Sequence, residues 1–130
     1  MKRHAALQQL SREHHIALKL ARQARFASDS SNPTAIGEAA EKINTLFAEA
    51  LEPHFQIEEA DLLPALAKAG GASLVKRTLD EHAELRALNQ QLSAADGSKL
   101  SRFATLLNDH VRFEERELFE LAQDLLYPEH

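Results

Sequence analysis

Apolar positions along the chain recur at three- and four-residue steps, the period of an amphipathic α-helix rather than the alternation of a strand. They do so in four stretches, roughly residues 3–27, 34–69, 73–94 and 98–126. Leu7, Leu10, Ala17, Leu18 and Ala21 mark the first, and Ile43, Phe47, Ala50, Leu51, Leu62 and Leu66 the second. Val75, Leu79, Leu85, Leu88 and Leu92 mark the third, and Phe103, Leu106, Leu107, Leu118, Leu121 and Leu125 the fourth. Good helix formers fill most of the places between them. Ser28-Asp29-Ser30-Ser31-Asn32-Pro33 reads as a loop with Asn32 capping the next helix and Pro33 in its first turn. Gly70-Gly71, with Ser73 as the cap that follows, and Asp96-Gly97-Ser98 are the other breaks, and Pro128 closes the last stretch. Long amphipathic helices on short loops predict one all-α domain over residues 1–130, an antiparallel up-down-up-down four-helix bundle. Pro53 and Pro64 each lack a backbone donor, which predicts a kink or an altered turn in the second helix.

Polar residues interrupt these stripes at matching places. His14 lies four residues after Leu10 and four before Leu18, and His54 follows Leu51 by three. His82 stands three from both Leu79 and Leu85, and His110 follows Leu107 by three. Glu58 and Glu114 lie at i+4 from His54 and His110, a spacing that turns about 40° and rises about 6 Å, so each pair reaches one centre. Desolvating a carboxylate costs several kcal/mol, so two inward glutamates call for cationic partners. A single core histidine is ordinarily a hydrogen-bonded packing residue. Six coordinated placements over four helices point instead to a metal centre.

Composition narrows the metal. The 130 residues include no cysteine and seven histidines, which removes thiolate sites, disulfides and thiol catalysis and leaves nitrogen and oxygen ligands. Those ligands suit iron, manganese, zinc or copper. Twenty acidic against fifteen basic residues give a net charge of −5, so neither nucleic acid nor an anionic membrane is an expected partner. No apolar stretch has the length of a membrane span and the N-terminus lacks a signal-peptide pattern, so the expectation is a cytoplasmic protein.

The segment from His54 to Leu62 resembles that from His110 to Leu118: both read His, apolar, polar, apolar, Glu, Glu, any, acidic, Leu. Two helical hairpins related by an approximate two-fold, each giving two histidines and one glutamate, suit a paired site with two metals and two bridging carboxylates. His15 lies about 100° from His14 and is expected to be partly exposed. Glu59 and Glu115 suit salt bridges or an outer layer of the site, His4 and His130 stand apart from it, and Phe55, Phe113 and Phe119 are packing residues.

A lone histidine, His-x-x-x-Glu, a histidine and a second His-x-x-x-Glu on successive helices is similar to the hemerythrin-like HHE cation-binding domain, from about Leu7 to Leu126. The resemblance implies a non-haem di-iron centre in a four-helix bundle, with His14, His54, His82 and His110 as terminal ligands and Glu58 and Glu114 as bridges. It also implies a role in carrying oxygen, or in sensing oxygen, iron or nitric oxide. Oxygen-carrying members have a second histidine one turn away on the third helix and His-x-x-x-x-Asp on the fourth. Here Thr78 and Arg86 flank His82 at one turn, and the last carboxylate is Glu114 at i+4, so more metal positions stay open. The ferritin-like alternative needs Glu-x-x-His, whereas Ser11, Leu51, Leu79 and Leu107 stand three before the four histidines.

Three functions compete: a module that binds or senses a small diatomic ligand or iron, a di-iron redox enzyme acting on peroxide or nitric oxide or donating iron for repair, and a metal-free interaction module. Binding or sensing leads, since no proton donor or electron partner for catalysis is identified.

Overall fold

The computed structural model describes residues 3–128, so His130 lies outside the described residues. Among these the chain is all-helical, in three continuous runs: α1 (Ala5–Ser30), α2 (residues 33–91) and α3 (residues 97–126). The break expected at Gly70-Gly71 falls inside α2 and divides it into a first arm, residues 33–69, and a second arm, Ala72–Gln91. Gly70 has φ 116°, a conformation that a side chain opposes. A Cβ on Gly71 would stand 2.7 Å from the Leu66 side chain, so the chain doubles back here only with glycine at both places. Three runs replace the expected four because the reversal needs no loop. Ser73 is therefore not a cap: the second arm starts at Ala72, with Gly71 before it and no side-chain cap.

The other ends follow local chemistry. Asn32 caps α2 by accepting from Thr34 N–H at 2.9 Å, with Pro33 in the first turn. Asp96 caps α3 by accepting from Lys99 N–H at 3.2 Å. The expected loop at Ser28 is shorter, because α1 continues to Ser30 before Ser31 turns left-handed at φ 55°. The Ser28 and Ser30 hydroxyls donate back to the carbonyls of Arg25 and Ala27 and hold that last turn. His4 caps α1 through Nδ1, which accepts from Ala6 N–H at 3.0 Å.

Altered turns accompany both prolines. Pro53 and Pro64 cannot donate to Glu49 and Ala60, and the turns Phe47–Leu51 and Glu58–Leu62 widen into π-helix. Glu52 N–H then donates to Phe47, and Leu63 N–H to Glu58, five residues back. The turn Glu114–Leu118 in α3 is also π-helical, although no proline lies in that run.

Two apolar clusters fill the interior. The larger contains Ala17, Leu20, Ile43, Phe47, Leu85, Phe103 and Leu107, and the smaller Leu7, Leu10, Leu62, Leu66, Val75, Phe113, Leu118 and Phe119. Each run or arm passes from one cluster to the other through one of the four core histidines, so a polar layer crosses the middle of the core. Leu79 and Leu125, expected in the stripes, are 43% and 41% exposed. On the second arm the inward position one turn before His82 is Thr78, whose hydroxyl donates to the Leu74 carbonyl. No helix of the described residues is long and apolar enough to cross a membrane.

Candidate metal centre

The polar layer brings together all six expected residues. His14, His54, Glu58, His82, His110 and Glu114 are each no more than 4% exposed. Glu58 Oε2 stands 3.4 Å from His54 Nε2, and its Oε1 3.1 Å from His82 Nε2. Glu114 Oε1 accepts from His14 Nε2 at 2.8 Å, and its Oε2 stands 3.2 Å from His110 Nε2. Each carboxylate therefore spans two histidines from different helices. The donor atoms form two overlapping tetrads, His14–His54–Glu58–Glu114 and Glu58–His82–His110–Glu114, each with all four atoms within 4.8 Å of one another.

Every histidine is held from behind. The Nδ1 atoms of His14, His54, His82 and His110 donate to Glu115, Glu13, Glu59 and Glu81 at 2.6, 2.7, 2.7 and 2.7 Å. An ionised carboxylate only accepts, so each Nδ1 carries a proton and each Nε2 is turned toward the centre. The supports form a closed ring. Glu13 on α1 holds His54 on the first arm, Glu59 on the first arm holds His82 on the second, Glu81 there holds His110 on α3, and Glu115 on α3 holds His14 on α1.

Glu59 and Glu115 take the outer places expected of them, and His15 is exposed. Sequence reasoning missed Glu13 and Glu81. The available signal is that all four outer carboxylates adjoin an inward residue: Glu13 precedes His14, Glu59 follows Glu58, Glu81 precedes His82 and Glu115 follows Glu114. Phe55, Phe113 and Phe119 are buried packing residues; Phe55 stacks on the His82 ring at 3.9 Å and Phe119 on His14 at 5.3 Å.

The electrostatics are those of buried opposite charges. Burial alone would lower the histidines; at His54, Glu114 and Glu58 outweigh it and push the imidazole up to about 11. His110 is raised against its burial to about 10 by Glu114 and Glu81, and His14 and His82 also rise. Burial acts to raise Glu114, yet the histidines, His110 first, hold it well below the usual carboxylate range. Glu115, despite half-burial, is drawn down to about 2 by His14 and Ser11.

A family model described as the hemerythrin HHE cation-binding domain matches residues 5–122. The chain belongs to that family. No curated protein and no solved structure matches the chain. In this hemerythrin HHE domain the donor set suits a bound cation on its own evidence. The Nε2 atoms of His54, His82 and His110, both oxygens of Glu58 and Oε2 of Glu114 are buried without a hydrogen-bond partner. Such atoms are costly unless something binds them, and all converge on the shared interior of the two tetrads.

A cavity of about 180 Å³ approaches this interior between α1 and the first arm. Ile16, Pro53 and Ile57 form part of its wall, and His14, His54, His110 and Glu114 line it. His82 and Glu58 do not. The hemerythrin HHE domain thus offers a largely enclosed nitrogen and oxygen centre with an opening on one side.

Proposed function

We propose that the domain holds two iron ions at the middle of an up-down-up-down four-helix bundle, in which the two arms of α2 serve as second and third helices, and that this centre binds or senses oxygen or nitric oxide, or reports iron supply. The observation that carries the reading is the pair of tetrads sharing Glu58 and Glu114. His14 and His54 would hold one ion, His82 and His110 the other, and the two glutamates both. Bound iron supplies redox chemistry and a coordination position for a small ligand.

The chain's own residues set the conditions. The ring of carboxylates fixes each imidazole with Nε2 inward and raises its basicity as a ligand. The two apolar clusters exclude water from above and below the layer. The cavity admits a molecule the size of a diatomic gas while Ile16 and Ile57 keep its wall apolar.

Metal analysis after anaerobic reconstitution with ferrous iron tests the reading, with two equivalents expected and well under one overturning it. Mixing the reduced protein with oxygen then separates its branches. A stable, reversible spectral change supports binding, whereas rapid oxidation with continued turnover supports a redox enzyme. His54→Ala and His110→Ala should each lower the metal content.

A further inference from the structure

The four carboxylates that support the histidines are not equally fixed. Glu115 is gripped by Arg3 at 3.1 Å and by Ser11 at 2.6 Å, Glu59 by Arg86 at 2.9 Å, and Glu81 by Arg77 at 3.0 Å. Among the described residues Glu13 has only the amide of Gln9 at 3.1 Å besides His54. A guanidinium fork restrains a carboxylate by charge and by geometry, whereas one neutral amide on an exposed face restrains it weakly. Glu13 is also the supporting carboxylate that lines the cavity leading to the centre.

That cavity has a second carboxylate, Glu49, in the π-turn ahead of Pro53, and among the described residues neither lysine nor arginine lines it. Beyond the two carboxylates lies His54, whose Nε2 is buried and has no hydrogen-bond partner. A cation entering here meets negative charge at the mouth and, beyond it, the inward Nε2 of His54, which must give up its proton to bind the metal. Phe55, which also lines the cavity, stacks on His82 at 3.9 Å and screens it, and Arg86, which grips Glu59 behind His82, also pairs with Glu52 at 2.8 Å.

Building on the metal-centre reading, we propose that divalent metal enters and leaves through this cavity by way of Glu49 and Glu13, with Glu13 the movable support. Both histidines of the half-centre of His14 and His54 line the cavity, whereas of His82 and His110 only His110 does, so the first half-centre fills and empties before the second. Glu13 acts through His54: when it swings away from Nδ1, His54 loses its support and the adjoining half-centre loosens.

The test uses the full chain and cobalt(II), followed by its visible absorption in stopped flow. Wild-type protein loaded with two equivalents and mixed with excess chelator should release them in two phases of equal amplitude. Glu13→Gln should speed the fast phase about ten-fold and leave the slow one, and Glu59→Gln should speed the slow phase instead. Glu49→Gln, which touches no histidine, should slow uptake about two-fold at low salt with unchanged stoichiometry. Release of both equivalents in one phase overturns the inference while leaving the metal centre intact, as does Glu13→Gln acting on both phases alike. Uptake unchanged by Glu49→Gln overturns the route. Failure of the wild type to bind cobalt(II) at all overturns the underlying reading of the centre instead.

Discussion

The segments 54–62 and 110–118 share one sequence pattern and one backbone device, yet their carboxylates do different work. Both begin a π-turn at the first glutamate of the motif, Glu58 in one and Glu114 in the other. Proline accompanies only the first, since Pro64 follows it and α3 has none. The widened turn therefore goes with the inward glutamate, where a carboxylate, a leucine four residues on and the next apolar residue must all face inward, as Glu58, Leu62 and Leu63 do, and Glu114, Leu118 and Phe119. Glu58 meets two histidines, at 3.4 and 3.1 Å. Glu114 meets four, with His54 and His82 at 3.9 and 3.8 Å added to His14 and His110. Equal motifs thus yield an unequal pair, and Glu114 is the electrostatic centre.

The strongest way to break that comparison is to neutralise each anchor in metal-free protein. Glu114→Gln should cost about 3–5 kcal/mol, since it strands several raised histidines, and Glu58→Gln clearly less, as read from urea unfolding. Equal losses would show the two to be equivalent. At the residue after each histidine, Phe55→Ala should cost about 3–5 kcal/mol and Val111→Ala about 1.5–3, because Phe55 also covers His82. One position further than each anchor, Glu59→Gln and Glu115→Gln should each weaken metal binding about 10–100-fold in chelator competition, with their imidazoles less firmly aimed.

Alkali acts on the inner histidines and acid on the outer carboxylate Glu115. His54 and His110 are raised in the folded state, so their contribution to metal-free stability is complete below about 6.5 and disappears as pH rises through about 10 and 11. Glu115 is depressed, so its contribution is complete above about 4.5 and disappears as pH falls through about 2. Thermal unfolding across pH should show both losses, and a flat alkaline limb would contradict the raised histidines. The smallest change should come from Pro64→Ala. It should leave the π-turn at 58–62 in place and alter stability by under about 1 kcal/mol, with amide hydrogen bonds read by NMR. Conversion to a regular α-turn would make proline the cause after all.

The six inward residues were legible because helical spacing carries direction: a histidine within a leucine stripe and a glutamate four residues on must share a face. The doubled motif added the pairing. Leu79 shows the limit, because a stripe read at three-residue steps cannot distinguish it from Thr78, and packing chose the threonine. Glu13 and Glu81 adjoin inward residues, but which histidine any outer carboxylate serves was not legible, since each serves one on another element and one chain's periodicity holds no information on axial register between helices. The π-turn in α3 has no local signal either. It answers the demand of the centre rather than any residue's propensity.

The closed ring from Glu13 through Glu59, Glu81 and Glu115 has a mechanical consequence. Each helical element gives one link and receives one, so sliding any of them lengthwise by a turn, about 5.4 Å, tears two links at once. Leucines that slide past each other find similar neighbours one turn on. The ring permits no such alternative, and it sets the alignment of the whole barrel of helices before any ion arrives.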